Sequence, residues 1–132
     1  MKNKAKEVVE EFLTAVKQVN TEKLGALLHP DVTWSQPGNN PISGLKRSSA
    51  EVFQMVGKMF ELSANTLSLA EVKSISVNKN QVACLLHWQA TRPSGAILEV
   101  DNIDVYTVEN GKIVNAEIYT AEEAKEDQFW NN

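Results

Sequence analysis

The run Ile97-Leu-Glu-Val-Asp-Asn-Ile-Asp-Val-Tyr-Thr-Val108 decides the fold. Side chains alternate across a strand, and one face of this run reads Leu98, Val100, Asn102, Asp104, Tyr106 and Val108. A carboxylate and an amide therefore sit mid-strand among apolar neighbours. If that face is the inner one, both polar groups aim where desolvation is costly, which is how a binding cavity begins. Glu99 and Asp101 have the opposite parity and are expected to face solvent or a partner.

Downstream, Asn110-Gly111 is a strong short hairpin signal and leads into a last strand over Lys112 to Tyr119. Thr120 with Glu123 has the spacing of a capping box for a short terminal helix ending in Phe129 and Trp130. Upstream, Arg92-Pro-Ser-Gly95 is a turn, preceded by a strand over Gln81 to Thr91. Asn78-Lys-Asn80 is another turn, and before it lies a long strand from Thr66 in which Val72 breaks the parity of Leu67 and Leu69, a sign of a bulge. The first half is helical. Val8, Val9, Phe12, Leu13, Val16 and Val19 predict a helix from about Lys4 to Val19. Asn20 or Thr21 then caps a short helix with Leu24, Leu27 and Leu28, which Pro30 stops near Leu28 or His29. Val32 to Gln36 reads as a strand, Pro37 to Pro41 as a loop, and Ser48 with Glu51 as the capping box of a third helix bearing Val52, Met55, Val56, Met59 and Phe60.

Composition sets limits on function. The chain has 132 residues, 42% hydrophobic and 23% charged, with a formal net charge of -4; this fits one soluble globular domain over 1–132. Clustered Lys and Arg of the kind that bind phosphate backbones are missing, so nucleic acid is not an expected partner. Met1 to Leu13 carries Glu7, Glu10 and Glu11 and lacks the apolar core of a secretory signal, no stretch has transmembrane length, and Cys84 is the single cysteine. A cytoplasmic protein with no membrane association is the expectation.

The order helix, helix, strand, helix, then a meander of strands is α+β, with helices gathered on one face of a sheet. With it come Asp31-Val-Thr-Trp34 and Gln36-Pro-Gly38, Ser43-Gly44 before the third helix, Ile103-Asp-Val-Tyr106 with Glu109-Asn-Gly-Lys-Ile113, and the ending Asp127-Gln-Phe-Trp130. These residues resemble the SnoaL-like, ketosteroid-isomerase-like branch of the nuclear transport factor 2 (NTF2-like) superfamily over nearly the full length. The resemblance implies a cystatin-like cone of curved antiparallel sheet packed on three N-terminal helices. It also implies a homodimer and a mostly apolar cavity for a small apolar organic molecule. It does not imply one reaction, because this scaffold hosts enzymes, binders and adaptors.

The isomerase pattern tests the residues directly. Aligning Pro37 puts Gln36 where that enzyme's catalytic base stands and Phe12 where its oxyanion-holding Tyr stands; only Asp104 matches its family position. An amide cannot abstract a proton and a phenyl ring cannot donate one, so a standard ketosteroid isomerase is not expected. The epoxide hydrolase variant of the fold needs a cavity Arg, and Arg92 lies in a turn.

The candidate catalytic acid or base is Asp104, with Asn102, Trp34, Gln36, Phe12, Met55 and His87 as candidate ligand-binding residues. For Asp104 the alternative is a carboxylate on a solvated face. For Trp34, Phe12 and Met55 it is plain core packing. His87 joins the Asp104 face only if Arg92 pairs with Gly95 across a two-residue loop; one bulge reverses the assignment. His29 reads as a partner for a helix C-terminus. Two distant histidines match no metal spacing, and Cys84 reads as a buried inert thiol, so neither metal nor cofactor is implied. The chemistry expected of an enzyme here is cofactor-free isomerisation, hydration or cyclisation, with a ligand-binding or protein-interaction module as the alternative. Burial should raise the Asp104 pKa. Ile103, Val105, Ile113 and Tyr119 are expected to form an apolar outer patch for dimerisation.

Overall fold

A computed structural model describes residues 3–132; Met1 and Lys2, the start of the segment read against a secretory signal, lie outside the described residues. The elements run α1 (Lys4–Gln18), α2 (Thr21–Leu27), β1 (Leu28–Gln36), β2 (Gly44–Lys46), α3 (Ser49–Leu62), β3 (Ser68–Asn78), β4 (Gln81–Thr91), β5 (Ile97–Glu109), β6 (Lys112–Thr120) and α4 (Glu123–Asn131). The fold is the expected α+β architecture, with one six-stranded sheet in the order β2-β1-β6-β5-β4-β3. Among the described residues no helix is long and apolar enough to cross a membrane.

Local chemistry places the helices. Asn3 caps α1 by accepting from the Lys6 amide at 3.0 Å, and Asn20 caps α2 by accepting from Lys23 at 3.1 Å. At α3, Ser48 accepts from the Glu51 amide at 3.1 Å and Glu51 reaches back to the Arg47 amide at 2.8 Å, one residue earlier than in the standard box. The Thr120–Glu123 box does not form: α4 begins after Glu122 with no side-chain cap, and Thr120 Oγ1 accepts from the Glu122 amide instead.

The sheet differs from the expected antiparallel one at a single pairing. β1 runs parallel to β6, while β3 through β6 form the antiparallel meander and β2 is a short antiparallel edge strand absent from the sequence reading. A parallel neighbour requires a long crossover, and everything between β1 and β6 supplies it. β1 also starts earlier than Val32, directly after α2. Pro30 cannot donate to a ladder, and the β1–β6 register slips across it between Leu28 and Thr33. His29 is consequently a strand residue, its Nδ1 accepting from the Asp31 amide at 3.0 Å, and not a helix-end partner.

Turns and bulges set which residues face inward. Asn110 and Gly111 adopt φ of 51° and 79°, the left-handed pair a two-residue hairpin demands. β3 slips register against β4 twice, at Leu69/Glu71 and Val72/Ser74, where the parity break predicted a bulge. A further slip at Thr107/Val108 turns Ile113 inward. Ile113 is wholly buried and is therefore removed from the expected outer patch.

Candidate functional site

The inner face of β5 alternates as anticipated: Leu98, Val100, Asn102, Asp104, Tyr106 and Val108 are all buried, with Asp104 only 3% exposed. Opposite it, α1, α3 and α4 close over the sheet, leaving a cavity of about 280 Å³. Phe12, Trp34, Gln36, Met55, Asn102 and Asp104 all line it, so six of the seven residues singled out from the sequence lie in one place.

His87 is the exception, and the hairpin explains why. Arg92 N–H donates to the Ala96 carbonyl at 2.9 Å, so the loop holds three residues, with Gly95 at φ 95° supplying the left-handed position. That extra residue reverses the parity of β4 relative to a two-residue loop. Val82, Cys84, Leu86 and Ala90 are buried inside, and His87 sits on the outer face with its Nδ1 2.8 Å from Asp101 Oδ1 and its Nε2 3.6 Å from Glu99. Lys73 joins Asp101 at 3.0 Å, and the His87 and Lys73 contacts hold the Asp101 carboxyl below its usual range.

The polar end of the cavity is built around Asp104. Tyr106 O–H donates to its Oδ2 at 2.7 Å, while its Oδ1 is buried without a partner among the described residues. Burial pushes the Asp104 carboxyl up to about 7; the Tyr106 bond pulls it down in part and the nearby Glu126 pushes it further up. Tyr106, fully enclosed beside that carboxyl, is held well above the ordinary phenol value and stays a neutral donor. Phe12 packs edge-on against Tyr106 at 5.4 Å between ring centroids, with Trp34 at 6.0 Å from the same ring. Trp34 Nε1 donates to Gln36 Oε1 at 3.0 Å. That bond fixes the amide, leaving Gln36 Nε2 with no partner among the described residues.

Among the lining residues that sequence reasoning did not single out are Glu126 and Trp130, and with them a role for Tyr106. α4 carries Glu126, Phe129 and Trp130 on one face, the i, i+3, i+4 spacing of a buried stripe. A glutamate on that stripe was the available signal. Burial raises the Glu126 carboxyl; Thr120 and Trp130 oppose this, and Asp127 and Glu122 add to it. Trp130 Nε1 lies close enough to favour the ionised carboxylate, though the pair falls outside hydrogen-bond geometry. The Asn102 amide nitrogen, turned as its neighbours require, has Glu126 Oε2 at 3.2 Å, Thr120 Oγ1 at 3.3 Å and the Asp101 carbonyl at 3.0 Å as acceptors for its two hydrogens. It thereby ties β5 to β6 and α4. Cys84 is buried across from Asp104, and desolvation pushes its thiol up to about 12, so it is not a nucleophile near neutral pH. Among the described residues no three His, Cys, Asp or Glu side chains are grouped to hold a metal ion.

The comparisons agree with this architecture. The sequence matches the SnoaL-like domain over residues 9–116, and the chain belongs to that family. No curated protein matches it. A crystal structure from Xanthomonas campestris, a protein of unknown function with a cystatin-like fold, is 31% identical over 97% of this chain and 98% of its own, with a TM-score of 0.92. TerC, co-crystallised with polyporic acid, superposes with a TM-score of 0.83 at 17% identity, covering 96% of this chain and 98% of that one. A putative SnoaL-like polyketide cyclase from Jannaschia sp. CCS1 gives 0.76 at 14% identity, covering 92% and 88%.

Proposed function

We propose that this protein binds a small, mostly apolar carbonyl compound in its cavity and that Asp104 moves a proton on it without a cofactor. The observation carrying this reading is the buried Asp104 carboxyl, with one oxygen held by Tyr106 and the other without a partner among the described residues, in a mostly apolar chamber. A carboxyl whose pKa lies at about 7 is present in both forms near neutral pH, the condition under which a general acid or base is most effective. In the ionised form Asp104 takes a proton from the carbon next to the carbonyl, while Gln36 Nε2 donates to the carbonyl oxygen as charge develops there. Returning the proton to a different carbon completes an isomerisation; where the ligand carries a second carbonyl, attack of the enolate carbon on that carbonyl carbon closes a ring, and the proton goes to the alkoxide oxygen that results. The neighbours crystallised with polyporic acid or described as a putative polyketide cyclase fit this reading.

A second reading, binding without turnover, is favoured by Gln36 and Phe12 at the two positions where the isomerase pattern has a base and an oxyanion donor. Solvent exchange distinguishes the two. Incubated with 2-tetralone in deuterated buffer, the protein is expected to speed exchange of the protons next to the carbonyl, followed by NMR. Asp104→Asn should remove about 100-fold or more of that rate. Saturable binding with no exchange would favour the binding protein. An unsaturated steroid is expected to remain unisomerised.

A further inference from the structure

We propose that the cavity is a charge filter that accepts uncharged ligands and rejects anions, with the buried side chains of Asp104 and Glu126 as the excluding pair. This rests on the reading of the cavity as a small-molecule site.

The two carboxyls come from different elements, β5 and α4, and line the same chamber at 3% and 7% exposure. Among the described residues no Lys, Arg or His lines it. The titratable groups acting on Asp104 and its partner Tyr106 are Glu126 on α4 and Cys84 on β4, and those acting on Glu126 are Asp127 and Glu122. All of them are acids. A ligand carboxylate would enter a chamber where ionised Asp104 and Glu126 repel it, where the low dielectric strengthens the repulsion and its own hydration is lost. The cationic side chains nearest α4 are directed elsewhere: Arg92 Nη1 donates to the carbonyls of Phe129 and Trp130 at 3.2 and 3.1 Å, and Lys125 Nζ to the Glu99 carbonyl at 2.8 Å.

An uncharged polar group meets the opposite situation. Gln36 Nε2 has a hydrogen to donate, and Asp104 Oδ1 is a buried oxygen without a partner, which donates when protonated and accepts when ionised. A neutral carbonyl, amide or hydroxyl satisfies these groups and adds no charge.

The test compares two ligands of nearly one shape, 2-naphthamide and 2-naphthoate, by titration calorimetry on the full chain. At pH 7.5 the amide is expected to bind at least about tenfold more tightly, a gap of about 1.4 kcal/mol. Lowering the pH to 4.5 should narrow that gap, because the naphthoate, Asp104 and Glu126 all take up protons. Glu126→Gln, and the double variant Asp104→Asn with Glu126→Gln, should narrow it at pH 7.5 by gain of naphthoate binding, which a merely destabilised fold would not give. Equal binding of the two probes by the wild-type protein at pH 7.5 overturns the filter and leaves the apolar-cavity reading standing. Failure of both probes to bind at either pH overturns the filter and the cavity reading together.

Discussion

Asp104 is the residue on which stability and chemistry meet. Its carboxyl is raised from 3.8 to about 7 in the fold, so between those values the native chain holds a proton that the unfolded chain has released. Stability therefore falls as pH rises through that window and stays at the lower level above it. Asp104→Asn removes the penalty while keeping an oxygen to accept from Tyr106. The variant should be more stable than the wild type at pH 8, by up to roughly 4 kcal/mol on the scale of 1.36 kcal/mol per pKa unit. At pH 4 the difference should be much smaller. Thermal melts of both proteins at the two pH values check this, and equal midpoints throughout would mean a solvated carboxyl. His87 shows how little separates one assignment from its opposite at this scale: one residue in the 92–96 loop moves it from the cavity wall to an ion cluster with Asp101 and Glu99.

Among the elements, α4 lacks a local cap and depends on tertiary contacts. Polar contacts from outside the helix hold it across the cavity. Asp127 Oδ1 accepts from the Asn39 amide at 2.8 Å and Asn40 Nδ2 at 2.7 Å, and Asn131 Nδ2 donates to the Asn39 carbonyl at 3.0 Å. The approach is close enough to require glycine at position 38. Its φ is +90°, and a Cβ there would lie 2.4 Å from Asp127 Oδ1. Asp127→Ala should cost about 1–3 kcal/mol, since it leaves two donors without their charged acceptor. Hydrogen exchange should localise the loss, with α4 amides losing protection while those of β4 and β5 keep theirs. Protection lost evenly over the sheet would mean that Asp127 supports the whole fold and not the helix that brings Glu126 to the cavity.

At the level of the whole molecule, the outer sheet face carries exposed apolar side chains. Ile103 and Tyr119 are 46% and 53% exposed there, beside the His87–Asp101–Lys73 cluster, while Ile113 has turned inward. The patch is smaller than the sequence implied, yet two large apolar side chains on neighbouring strands suit an isologous dimer in which the same surface meets itself. Light scattering at micromolar concentration is expected to give twice the chain mass of 14.6 kDa. Ile103→Lys should shift it to the monomer by placing like charges face to face. A wild-type monomer across the same range would mean that this face is solvated.

What the sequence determined by itself is what local physics controls. The apolar spacing of the first helix, capping at Asn20 and Ser48, the Asn110-Gly111 turn and the period-two pattern of β5 each act within a few residues. They announced the helices, the meander and the inward aim of Asn102 and Asp104. Tertiary structure decided what depends on register or on distant partners. The Pro93 to Gly95 loop and the slip at Thr107/Val108 set the faces of His87 and Ile113. The long crossover between β1 and β6 made that pairing parallel. The docking of α4 brought Glu126 beside Asp104. A single-residue change of register inverts a strand's faces, and contact between positions 104 and 126 requires the whole sheet and its covering helices to be in place.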